Sequence, residues 1–195
     1  MRRHHVNSQN TKLAIAEALK ELGRKGGANK KVTIDGICDF SGISRNTFYY
    51  HFANVIELMH WTISRDLSPI YDLDAFKGTE IRNFTANYLQ TNRKFLSFAL
   101  QYLGPDDFRV YYVQEMHKLI RWHIDHLEIK NSWQIDEGYK RIVSEIFSES
   151  VSSIHIMLIT KSEKYSRETA VKCLQAIFDF AITDILAHEK DILIG

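Results

Sequence analysis

Residues 33–52 read TIDGICDFSGISRNTFYYHF, and their spacing predicts two short helices joined by a tight turn. The Thr33 hydroxyl can accept one of the backbone N–H groups that a first helical turn leaves unpaired. Ile34, Ile37 and Cys38 follow at helical spacing, so that helix has one apolar face. Ser41-Gly42 ends it, because glycine reaches the left-handed conformation of such a turn without a Cβ penalty. Ile43 fills the corner and Ser44 caps a second helix, on which Phe48 and Phe52 point inward one turn apart. Two stripes face outward, Arg45 with Tyr49 and Asn46 with Tyr50, and His51 lies beside them. Such a face is a poor choice for solubility alone and suits a surface that meets phosphates and base edges. The expected DNA-contacting set is Thr33, Ser44, Arg45, Asn46, Thr47, Tyr49, Tyr50 and His51. Arg45 and Asn46 would read bases, Thr47, Tyr50 and His51 would position, and Tyr49 would touch a phosphate or a thymine methyl.

The same stretch resembles the helix-turn-helix domain of the TetR/AcrR transcriptional regulators. The matching positions are Thr33, Ile37, Ser41-Gly42-Ile43-Ser44 and Thr47-Phe48-Tyr49-Tyr50-His51-Phe52. The resemblance is specific over roughly residues 8–65 and only architectural beyond. It departs at one place: a phosphate-gripping lysine usually follows the His-Phe pair, and here the run is Ala53-Asn54-Val55. That anchor is missing or comes from elsewhere. The resemblance implies an all-α chain, with a DNA-binding domain over residues 1–54 and an effector-binding and dimerisation domain over 55–195. It further implies a homodimer on a pseudo-palindromic operator.

Composition is compatible with this. The 195 residues include only two prolines and many aromatics, and no long Ser/Gly run, which argues for helices joined by short turns. The net charge of +1 is uninformative until it is divided. Residues 1–65 hold ten Lys/Arg against five Asp/Glu, and the remainder fifteen against nineteen. A basic head followed by an acidic body fits a DNA reader attached to something that should avoid DNA. Cys38 and Cys173 each fall in an apolar helical pattern and are expected to be buried, reduced thiols. The opening MRRHHVNSQN has no apolar run behind its charges, and no stretch approaches the ~18 consecutive apolar residues of a membrane span. The expected location is the cytoplasm.

Arg2-Arg3-His4-His5 form a basic arm, read either as a tail or as a reach into a minor groove. A first helix is expected over about 8–22, ended by Gly23-Arg24-Lys25-Gly26-Gly27. The loop after it carries Lys30 and Lys31 and lacks the spacing of a nucleotide-binding loop. A fourth helix is expected over 55–67 and stopped by Ser68-Pro69. Further helices are expected over 79–91, 92–103, 106–128 and 136–159, with a last one opened by Ser166. The apolar faces of the last two are wider than one neighbour needs, which points to a partner chain at Ile142, Ile146, Leu174, Ile177, Phe178 and Ile182.

Catalytic and metal chemistry find no setting. His117, His123 and His126 share a predicted helix but not one face, and neither HExxH nor paired cysteines occur. No nucleophile elbow is present. The expectation is no enzyme, no cofactor and no metal. Tyr88, Phe98, Tyr102, Met116, Trp122 and Trp133 are candidates to line a small-molecule cavity, a reading that leans on the family resemblance because helical aromatics are commonly plain core. The functional expectation is a repressor released by an effector. The alternatives are an activator or co-regulator working through a partner protein without a small-molecule pocket, and a helical interaction protein that no longer binds DNA.

Overall fold

The computed structural model describes residues 2–26, 32–72, 78–160 and 166–189, without the side chains of residues 2–7 and 167. All regular structure among the described residues is helical. In order these are α1 (Arg2–Gly26), α2 (Ile34–Ser41), α3 (Arg45–His51), α4 (Val55–Leu67), a 3-10 turn (Ser68–Asp72), α5 (Gly78–Leu103) and α6 (Pro105–Asn131). Then come α7 (Glu137–Thr160), α8 (Arg167–Ala176), a π turn (Ile177–Ala181) and α9 (Ile182–Ala187). By compactness the chain divides into residues 1–66 with 92–105, and residues 67–91 with 106–195.

In the first unit α1 packs on α2, and α2 on α3. Ile15, Leu19, Ile37, Phe48, Leu58, Met59 and Ile63 are fully buried; the helical period of α4 assigns Ile56 inward with Met59 and Ile63, but Ile56 is exposed and Leu58 is buried instead. The α1 and α4 helices are pinned by Lys20 and Asp66, 2.6 Å apart with both side chains almost wholly buried. Arg65 adds a bond to Glu17 at 3.1 Å and a contact with Asp66. Breaking one partner of such a buried pair leaves a lone charge, which costs more than the pair itself contributes.

In the second unit α7 packs on α8 and α9. Phe108, Tyr112, Met116, Ile120, Ile124, Val151, Leu174, Phe178 and Ile182 are buried. Lys140 binds Glu128 at 2.7 Å and Glu137 at 2.6 Å and thereby fastens the end of α6 to the start of α7. Arg82 of α5 reaches Asp179 of the π turn at 2.9 Å. One helix among the described residues, α7, is long and apolar enough to cross a membrane by length and composition. Its Val143, Phe147, Val151 and Ile159 are buried, as in a core helix.

Several boundaries differ from the sequence reading. The first helix begins at Arg2, so the backbone of the expected arm is helical, there being no glycine or proline to stop it. Lys30 and Lys31 lie outside the described residues. The expected pair of helices over 79–103 is one helix, again because no breaker stands between Thr91 and Asn92. Pro105 opens α6, where its missing N–H has no intrahelical partner to lose, after Gly104 turns the chain at φ 87°. Cys38 is buried as expected, but Cys173 is exposed.

Candidate DNA-binding face

The two caps that the sequence predicts are formed. Thr33 Oγ1 accepts from the Gly36 N–H at 3.1 Å, and Ser44 Oγ accepts from the Thr47 N–H at 3.1 Å. Between the helices Gly42 takes φ 70°, the left-handed region where a side chain would be strained. Phe48 and Phe52 are buried and tilt against each other, 6.1 Å between centroids. Fixing these two rings inward forces the intervening and preceding residues outward. Arg45, Asn46, Tyr49 and Tyr50 are accordingly exposed, Tyr50 to 79 %. Thr47 is half-buried, with its hydroxyl 2.9 Å from that of Ser44. Six of the eight expected contact residues thus lie on α3, joined by the cap Ser44, while Thr33 stands at the head of α2.

Arg45 does not stand alone. Its Nη1 donates to both carboxylate oxygens of Asp35, at 2.8 and 3.1 Å, and its Nη2 lies 3.5 Å from the Tyr49 hydroxyl. The Tyr49 hydroxyl first, and the Asp35 charge next, hold the guanidinium above its usual range. Burial and then Asp35 push the Cys38 thiol up, which keeps it protonated and unreactive.

His51 is half-buried and sits edge-on to Tyr50 at 4.9 Å. Burial, and then the charge of Lys12, hold its imidazole below the ordinary histidine range. Lys12 lies over the rings of Phe52 and Trp61, 5.5 and 5.7 Å from their centroids, a favourable place for an ammonium. Where the usual lysine is absent, the chain closes the start of α4 with side-chain caps instead. Asn54 Oδ1 accepts from the Glu57 N–H at 2.9 Å, and Glu57 Oε2 accepts from the Ala53 N–H at 2.6 Å. That arrangement secures the start of α4 and adds no cation. Sequence reasoning missed both Lys12 and Asp35. The former reads as one more polar position of α1 and the latter as a first-turn carboxylate of α2.

The residues expected around an effector are divided. Phe98 and Tyr102 belong to the first unit, their rings tilted against each other at 5.7 Å. Phe98 closes on Gly23 so tightly that a Cβ there would stand 2.5 Å from its ring. It borders a cleft of about 390 Å³ lined also by Arg24, Arg93, Lys94, Ser97 and Gln101. Tyr88, Met116 and Trp122 belong to the second unit. Met116 is fully buried, and Trp122 meets Tyr71 edge-on at 5.5 Å. The second unit has an apolar cleft of about 400 Å³, lined by Ile154, Met157, Leu158, Ser166, Thr169, Ala170 and Cys173; none of the expected residues borders it. Trp133 is half-buried after α6.

Of the six residues expected to face a partner chain, Leu174, Phe178 and Ile182 are buried within the protomer and belong to its own core. Ile142 and Ile146 are more than half exposed and Ile177 is half-buried. Phe180 and Ile185 of the last helices are exposed as well. Among the described residues no three His, Cys, Asp or Glu side chains are grouped to hold a metal ion.

No family model matches this sequence, and no curated protein matches it. Among solved structures it is similar to the dihydroxyacetone kinase operon activator DhaS, at 21 % identity over 87 % of this chain and 96 % of that one, with a TM-score of 0.65. A TetR-family transcription regulator from Shewanella sp. PV-4 aligns at 14 % identity over 86 % of this chain and 95 % of that one, with a TM-score of 0.49. The likeness to DhaS shows the fold: this chain has the all-α, TetR-like fold.

Proposed function

We propose that this chain is a sequence-specific, DNA-binding transcriptional regulator and not an enzyme. Residues 1–54 would read DNA and residues 55–195 would dimerise and take an effector. The observation that carries the reading is the outward face of α3, where Arg45, Asn46, Tyr49 and Tyr50 are exposed while Phe48 and Phe52 hold the helix from within. A seven-residue helix with that much aromatic and amide surface is disfavoured in water and matched to a major groove. Ser44 at its capped end, Thr33, Thr47 and His51 supply short polar groups for phosphates, and Lys12 takes the place of the usual lysine beyond the His-Phe pair. The protein would act in the cytoplasm as a homodimer, on a pseudo-palindromic operator, and leave it when an effector binds the body.

A second reading has one observation in its favour. The similar solved structure is named an operon activator, so the bound protein would raise transcription, working through a partner protein. Both readings require DNA binding, and the third, a helical interaction protein, does not. Titration of random duplex DNA at several salt concentrations separates them. A DNA reader binds at low salt, and its affinity falls linearly on a log–log plot as phosphates are re-neutralised by salt. Absence of any binding at low salt would leave the interaction protein as the function.

A further inference from the structure

The bond between Asp35 and Arg45 joins two helices at the surface that the proposed function turns toward DNA. Both side chains are more than half exposed, 63 % and 57 % respectively. An exposed ion pair of this kind contributes little to stability, so stability alone does not account for a carboxylate on a face that must approach phosphates. The geometry of the pair is more informative. Asp35 engages Nη1 with both its oxygens. Guanidinium has five N–H donors in a rigid fork, and the edge made by Nε–H and the inner Nη2–H remains available. That edge has the donor pair that guanine O6 and N7 accept. Nη2 carries two hydrogens and also lies 3.5 Å from the Tyr49 hydroxyl, a second point of contact for the fork.

We propose that Asp35 is a positioning residue for base reading: it clamps one end of the Arg45 guanidinium so that the opposite edge is presented to a guanine. The inference rests on the reading of Arg45 as a base reader given above. Clamping has two effects. A long, rotamer-rich side chain is ordered before DNA arrives, so less ordering entropy opposes the specific contact. In addition, Arg45 is neutralised by Asp35 and is not drawn to the nearest phosphate, so random DNA gains less from it. Both raise the ratio of specific to non-specific affinity. The plain alternative is that Asp35 serves only α2, as a carboxylate in the positive first turn.

The experiment compares wild type, Asp35→Ala, Asp35→Asn, Arg45→Ala and the Asp35→Ala/Arg45→Ala double variant. Each is passed through selection from a random duplex pool, and each is titrated with the selected site and with random duplex. Expected for Asp35→Ala is loss of about tenfold in guanine preference at one position of each half-site, with random-duplex affinity equal or higher. Asp35→Asn, which keeps an acceptor but not the charge, should fall between. In the Arg45→Ala background the Asp35 substitution should change base preference no further. The inference alone fails if wild type selects sites and Asp35→Ala selects them with the same guanine preference, whether or not its melting temperature falls. It fails also if Asp35→Ala alters preference when Arg45 is already alanine, since Asp35 would then read a base itself. No binding by wild type to any duplex at low salt would instead remove the DNA-reading function, and the inference with it.

Discussion

Arg45 is the side chain on which base reading is expected to turn, and its environment sets the size of the effect. An arginine making two hydrogen bonds to guanine contributes about 1–3 kcal/mol of discrimination. Arg45→Ala should therefore flatten base preference at one position per half-site, as read from selected sites, while the remaining positions keep theirs. On the proposed reading Lys12 and His51 would make the other class of contact, to phosphates. Lys12→Ala should weaken every duplex by a similar factor and lower the salt slope by about one per head. An unchanged slope would show that Lys12 only covers Phe52 and Trp61. The outward set on α3 was legible because two buried phenylalanines four residues apart fix which way the helix faces. The partners were not, because the bond from Arg45 to Asp35 and the stacking of Lys12 on Phe52 and Trp61 join residues of different helices, and no periodicity within one helix reports them.

At the scale of elements, the turn between α2 and α3 is held by Gly42 and the Ser44 cap. A Cβ at Gly42 would touch nothing within 4 Å, so Gly42→Ala tests backbone conformation without a steric clash. It should cost about 1–2 kcal/mol, read as a lower melting temperature. The last helices show why a stripe alone misleads. Ala170, Leu174, Phe178, Ile182 and Leu186 are all buried at a strict spacing of four. On an uninterrupted α-helix four such steps would rotate the buried edge by about 160°, which is why the stripe reads as too wide for one neighbour. The π turn at Ile177–Ala181 takes back part of that rotation and keeps Leu174, Phe178 and Ile182 on the protomer's own side. A single inserted residue of this kind leaves no composition signal. Between α6 and α7, Tyr112 and His155 share a buried hydrogen bond of 3.1 Å, and burial lowers the His155 imidazole to about 3. In the unfolded chain that group titrates near 6.5, so the unfolded state takes up the proton first. Its contribution is complete above the ordinary histidine range and is lost as pH falls from there toward 3. The melting temperature of wild type should decline between pH 6.5 and 5, and His155→Leu should show a shallower decline over the same interval. An equal decline in both would assign the loss to other groups.

For the whole molecule, the proposal needs two heads held at a fixed distance, because one head alone has half the contacts and no register. The exposed apolar residues proposed for that purpose are Ile142 and Ile146 on α7, with Phe180 in the π turn and Ile185 on α9. Ile142→Glu or Ile146→Glu should leave helicity unchanged, convert the sedimenting species from dimer to monomer, and abolish tight operator binding. A wild type that already sediments as a monomer at micromolar concentration and still binds tightly would contradict the dimer. The central claim is that this chain reads DNA sequence, and selection of wild-type protein against a random duplex pool tests it most directly. The expected result is a set of enriched, pseudo-palindromic sites whose half-sites are read from one face about 34–36 Å apart, one turn of duplex, or at a related spacing in successive major grooves. A pool that emerges with no sequence enriched over the starting material would contradict it.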